Sequence, residues 1–250
     1  MSKAPVLGTL ALILLAAAAV PAPAKSPIEL DHVWIMVSPN APEREALERA
    51  GFQISPYMNR HDGQGTASIT VEFENSYLEL MWPDSTVKVE PGLERAAEKF
   101  RQRMLWRSSG WCPIGIGLRR TTPSNDALPF PTWSWTADWM PKGSKMEMLT
   151  ARDETQSPAL FIEPGVLTNT VAQAARASRY HHPIGTDRIT AIRLVSPEKY
   201  EPVTALNYLQ TEHVLSVTRG DEWLLELTFD GGKRKKSKDL RPDLPLVIRY

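Results

Sequence analysis

Glu79 sits in the middle of "YLELMW", where apolar residues surround it, and His61 opens the turn "HDGQGT" at residues 61–66. A carboxylate in a strand that buries both faces persists only if it is paired, metal-bound or open to a cavity. Strand side chains alternate, so Tyr77, Glu79 and Met81 share one face while Leu78, Leu80 and Trp82 share the other. The same parity in "LDHVWIMV" sets His32, Trp34 and Met36 against Val33, Ile35 and Val37. If the apolar set lies under a helix, His32, Trp34, Tyr77 and Glu79 line the opposite side together. Glu79 is then a candidate general base, with His61 a second proton carrier from the turn. The structural alternative for Glu79 is an ion pair with an arginine such as Arg119.

The turn itself has two readings. Gly63 and Gly65 supply the positive φ of a tight connection between strands. Alternatively, its backbone N–H groups, the His61 imidazole and Thr66 form a rim for an oxyanion or carboxylate. No helix follows and no lysine closes it, so it is not a phosphate loop. Farther on, alternation puts Trp133 and Trp135 on one face, either as packing or as a stacking wall for a flat ligand. Trp139 follows in the same aromatic stretch.

The elements that must hold these residues follow from periodicity. After "LDHVWIMV", "APEREALERAGF" predicts a helix, with Pro42 in its first turn and Gly51 past its end. "FQISPYM", "TASITVEF" and "YLELMW" complete a β-α-β-β-β order. An amphipathic helix is predicted over 91–107, with Leu93, Ala97, Phe100 and Met104 at helical spacing. "CPIGIGLRR" begins a second set that passes through a Pro-rich stretch and an aromatic strand to "ALFIEPG". Residues 168–178 read as a helix. From "RITAIRLV" onward come a strand, a short helix and three strands, with "GGKRKKSKD" as a solvated hairpin loop. Recurrence of the unit outweighs any single strand assignment. The predicted organisation is a signal peptide at 1–24, a first module with trailing helix at 28–110, a degenerate second module at 111–180 and a C-terminal βαβββ-like module at 188–250.

In order and spacing, "LDHVWIMV", the helix ending "AGF", the His61, Gly63, Gly65, Thr66 turn, "YLEL", "PALFIEPG" and "HHPIGTDRITAIRLV" resemble the glyoxalase-like branch of the vicinal oxygen chelate superfamily. The resemblance implies an α+β fold of repeated βαβββ modules whose curved mixed sheets form a cup. It also implies metal ligands at the first-strand histidine and fourth-strand glutamate, here His32 and Glu79, with Glu163 in "FIEP" matching Glu79 in the second module. The second module departs from the pattern, with Pro113 where a histidine is expected and Gly115 and Gly117 after it. His61 or His182 would have to complete the set from a loop. Such a set suits a hard or borderline divalent ion. An unidentified divalent metal ion and no cofactor at all stand equally open.

Composition bounds the rest. The 250 residues carry zero formal net charge, which gives no electrostatic case for nucleic acid or an acidic membrane. Residues 1–24 have a basic start, an apolar run and a small-residue "APA" end, the pattern of a secretory signal, so the expected location is periplasmic or secreted. Cys112 is the single cysteine, so no intrachain disulfide can form; it reads as a buried apolar filler. No G-x-S-x-G elbow supports a hydrolase. The expected partner is a small molecule, with no nucleic acid and no stable membrane insertion after signal cleavage; a homodimer stays open. The expected function is metal-assisted proton transfer of isomerase or lyase type on a small oxygen-bearing molecule. The alternative is a periplasmic module that binds and sequesters its ligand without turnover.

Overall fold

The computed structural model describes residues 26–121, 127–136, 140, 142–150, 156–164 and 180–250. The predicted signal segment, the helix expected over 168–178 and Trp139 lie outside the described residues.

The first module runs β1 (Ile28–Met36), α1 (Arg44–Ala50), β2 (Asn59–His61), β3 (Thr66–Glu72) and β4 (Tyr77–Pro83). Next come α2 (Glu94–Met104), a short α3 (Trp106–Ser109) and β5 (Ile114–Arg120), then β6 (Trp133–Trp135), β7 (Met146–Met148) and β8 (Ala159–Ile162). These strands form one eight-stranded sheet, ordered β2-β3-β4-β1-β5-β8-β7-β6. Its two halves mirror each other. β1 pairs parallel with β4, β5 pairs parallel with β8, and the two first strands meet antiparallel at the centre. Among the described residues the second half has no helix between β5 and β6, so it keeps the strands of the unit without its cover.

Helix α1 ends where the sequence predicts. Gly51 adopts φ 94°, and the N–H groups of Gly51 and Phe52 close onto the carbonyls of Glu48 and Leu47. A Cβ at position 51 would also lie 3.1 Å from the Ile184 nitrogen, so glycine is required by both conformation and space. The helix buries Ala46, Leu47 and Ala50 against the same sheet face as Val33, Ile35, Leu78 and Leu80. Truncating fully buried Leu47 to alanine would cost about 2–5 kcal/mol.

The C-terminal unit consists of β9 (Ile189–Pro197), α4 (Thr204–Thr211), β10 (Ser216–Gly220), β11 (Leu224–Phe229), β12 (Ser237–Asp239) and β13 (Leu246–Arg249). It differs from the sequence expectation in two ways. β12 is a fourth strand after the helix, formed inside the stretch read as a loop, and it pairs with β13. The sheet order, β10-β9-β11-β13-β12, also departs from that of the first module. Leu194, Leu206, Leu225 and Ile248 of this unit share one core with the α1-covered face of the large sheet. Among the described residues no helix is long and apolar enough to cross a membrane.

The opposite face of the large sheet forms the cup. Helix α2 covers part of it, packing Phe100 and Met104 against Trp34, Met36 and Met81 in a second apolar cluster.

Candidate functional site

Strand register decides which side chains meet in the cup. Across the sheet, Glu72 pairs with Tyr77, Tyr77 with His32, and His32 with Gly117. The same line continues through Phe161 and Met148 to Trp133 at the far edge. The adjacent line runs Thr70, Glu79, Trp34, Gly115 and Ala159. The side chains of both lines open on one cavity of about 1060 Å³, as do His61, Glu163 and Trp135.

The two glycines of β5 shape the floor. A Cβ on Gly117 would lie 2.6 Å from His32 Nδ1, and one on Gly115 would overlap the Trp34 indole. Both rings therefore lie across β5. With nothing between them, His32 stacks on Tyr77 at 4.4 Å and 10° and also reaches Phe161 at 5.5 Å between centroids.

Asp31 joins the site because β1 is irregular. The register of β1 against β5 shifts between Leu30 and His32, which leaves Asp31 as an inserted residue. A bulge of this kind breaks alternation and re-aims a side chain. Asp31 Oδ1 sits 2.9 Å from His32 Nδ1, while Arg119 donates to Asp31 Oδ2 at 3.4 Å and to Glu29 Oε1 at 2.9 Å. Burial alone would raise the Asp31 pKa. The hydrogen bond and charge of His32, with Arg119 behind them, hold it below the ordinary carboxylate value instead. For His32, burial pulls downward, but the Asp31 hydrogen bond and charge, then Glu163 and Glu79, keep its pKa raised. An ionised Asp31 accepts the Nδ1 proton, which leaves Nε2 as the exchanging nitrogen.

Glu163 is the most perturbed carboxylate of the cup. Burial pushes it up to about 7, assisted by Asp31 and Glu79 and opposed by His32. On the other side, His61 Nε2 is 3.6 Å from Glu79 Oε1, an ion-pair separation rather than a hydrogen bond. Its Nδ1 meets Thr66 Oγ1 at 2.9 Å, and Gln64 donates to the same hydroxyl. Burial, chiefly, lowers the His61 pKa, with Glu79 opposing and His32 adding to the fall.

Several expectations need correction. Arg119 engages Glu29 and Asp31, and the partner of Glu79 is His61. Thr66 is fully buried behind His61 and orients that ring instead of lining the cup. The 61–66 turn presents no rim of N–H groups at Gly63 and Gln64: Gly63 donates to the Lys88 carbonyl and Gln64 to that of His61. Its glycines supply the positive φ of the turn, 89° at Gly63 and 73° at Gly65, and a Cβ on Gly65 would also meet Val89 at 2.5 Å. His182 lies away from the cup, against Phe52 and Phe73, with Nδ1 accepting from the Gln53 N–H and Nε2 donating to the Glu72 carbonyl. Cys112 is buried, as a filler would be.

The sequence matches the family model of the glyoxalase-like domain over residues 30–209, a span that holds every residue of the cup. The chain belongs to the glyoxalase-like domain family. This agrees with the vicinal oxygen chelate resemblance and with the mixed α+β architecture of curved sheets. A crystal structure of a hypothetical protein from Staphylococcus aureus is similar at TM-score 0.49 and 9% identity, covering 89% of this chain and 98% of that one. No curated protein is similar enough to count as a match.

The glyoxalase-like cup does not present the metal set that the resemblance implies. Among the described residues, no three His, Cys, Asp or Glu side chains gather as a group that could hold a metal ion. Nδ1 of His32 is held by Asp31, which leaves Nε2 as its open nitrogen, and Glu79 faces His61. The position expected to supply a second histidine is Pro113, just before β5, and the residue opposite His32 is glycine. His32, Glu79 and Glu163 share the cavity as titratable side chains, and they are not gathered into one donor group.

Proposed function

We propose that the cup is an acid–base site for a small organic molecule bearing a carbonyl or a vicinal oxygen pair, with proton transfer of the isomerase or lyase type. One observation carries the reading: Glu163, pushed up to about 7, shares a cavity with a histidine held by Asp31 and with the His61–Glu79 pair. A group poised near the working pH both takes and returns a proton. His32 exchanges its proton at Nε2, with Asp31 as the positioning residue. Glu163 is the second proton carrier. Glu79 and His61 hold the substrate oxygen from the far wall, and Tyr77, Trp34, Trp133 and Trp135 bound the space around it. The proposed setting is the periplasm or the exterior, after removal of residues 1–24. Mass spectrometry of exported protein then finds an N-terminus at or near Lys25, and a full-length exported species overturns that part.

The test is deuterium uptake at carbon next to the carbonyl of hydroxyacetone, followed by NMR in D₂O with and without a chelator. Wild type accelerates exchange over buffer in both conditions. Glu163→Gln loses roughly a hundredfold or more of that rate while its melting temperature is not lowered. Binding without exchange in wild type overturns proton transfer and supports the sequestering module.

A further inference from the structure

The two halves of the cup differ in chemistry, and the difference runs along the sheet. On the β3 side the floor is Thr70 and Glu72, joined by a 2.8 Å hydrogen bond, with Ser55 and Asn59 also facing the cavity. On the β8-β7-β6 side the corresponding positions are Phe161, Met148 and Trp133. The titratable residues His32, Tyr77 and Glu79 lie between. Each of these two lines passes from polar, through titratable, to apolar, and Glu163, directly after β8, is the carboxylate of the otherwise apolar half. Trp133 is fixed at the apolar end by a 2.8 Å hydrogen bond from its indole N–H to the Thr150 carbonyl, which leaves the ring as a wall. A flat π-surface and polarisable methionines suit an aromatic ring, and hydroxyl and carboxylate groups suit hydroxyls on the other end.

We infer that the substrate is an aryl hydroxycarbonyl compound. Its ring lies against Phe161 and Met148 with Trp133 beyond them, its hydroxylated end points toward Thr70 and Glu72, and the carbon beside its carbonyl lies over His32. The inference rests on the proton-transfer reading for the reaction and on the division of the cavity for the substrate. In the exchange step one C–H bond beside the carbonyl breaks and its proton passes to the protein base. Solvent then returns a deuteron to the same carbon, and no oxidant or reductant takes part.

Calorimetric titration of the purified protein with 2-hydroxyacetophenone and with hydroxyacetone tests the substrate class. The aryl probe binds at least tenfold tighter. Trp133→Leu and, separately, Met148→Ala weaken the aryl probe far more than hydroxyacetone and so remove most of that difference; thermal melts confirm that each variant is folded. Thr70→Val weakens both probes. Equal affinity of wild type for the two probes, or equal losses for both probes in the Trp133 and Met148 variants, overturns the inference. Deuterium uptake separates this outcome from failure of the proton-transfer reading. Exchange on hydroxyacetone without aryl preference overturns the substrate class alone. Aryl preference without exchange supports the substrate class and overturns the chemistry.

Discussion

Gly117→Ala adds one methyl group at the most crowded point of the cup floor. Its Cβ would come within 2.6 Å of His32 Nδ1, on a ring held between Tyr77 at 4.4 Å and Asp31 at 2.9 Å. The ring cannot move toward Tyr77 and can retreat only by leaving Asp31. Overpacking of this kind costs about 1–3 kcal/mol, and breaking a hydrogen bond to a charged group costs about 1.5–3 kcal/mol where it occurs. Urea unfolding of wild type, Gly117→Ala, His32→Ala and the double variant resolves the contributions. In the His32→Ala background the methyl group has room, so the penalty falls to near zero and the coupling exceeds about 1 kcal/mol. At this chain length each kcal/mol shifts the melting temperature by about 2–4 °C. If Gly117→Ala costs the same with and without the imidazole, the glycine does not serve to seat His32, and the account of the floor is wrong.

Glu163→Gln removes a carboxyl group that is about 7 in the folded protein and near 4.5 unfolded. The unfolded chain releases its proton first, so the wild type loses stability as pH rises from about 4.5 to 7; the variant does not. The variant is therefore more stable above pH 7, by up to about 3 kcal/mol, and equal to wild type near pH 4. Urea midpoints across that range check it, and a variant less stable at pH 8 refutes it. His182 titrates in the opposite sense. Burial, chiefly, lowers its folded pKa, so acid protonates the unfolded state first and stability falls as pH drops below about 6.5. The advantage of wild type over His182→Gln should be level above that pH and shrink below it; a constant difference down to pH 5 contradicts the neutral, doubly bonded imidazole.

Most of the first module was legible because its cues are local, although its second strand forms at Asn59–His61 and not over "FQISPYM". Alternation places His32, Trp34, Tyr77 and Glu79 on one face, and a helix ending in glycine covers the other, which is what β1, α1 and β4 do. The C-terminal unit shows where local cues stop. Its strand and helix pattern resembles the first module, yet β9 lies between β10 and β11 and a short strand, β12, forms within a basic stretch. Periodicity identifies a strand, but which neighbour it pairs with is settled by long-range packing, here the shared core with the large sheet.

Asp31 was illegible for a different reason. Strict alternation assigns it to the face of Val33 and Ile35, and only the inserted residue opposite β5 turns it toward His32. That one irregularity changes the chemistry of the site. A histidine beside a glutamate on a neighbouring strand reads as a metal pair. With its Nδ1 held by an ionised aspartate and its face seated over a glycine, the histidine is fixed in tautomer and orientation, which the proposed proton transfer needs. The glycines that read as a gap in the second module's ligand set are accordingly part of the site. They clear the floor so that one imidazole from the first module spans both halves of the cup, between Tyr77 and Phe161.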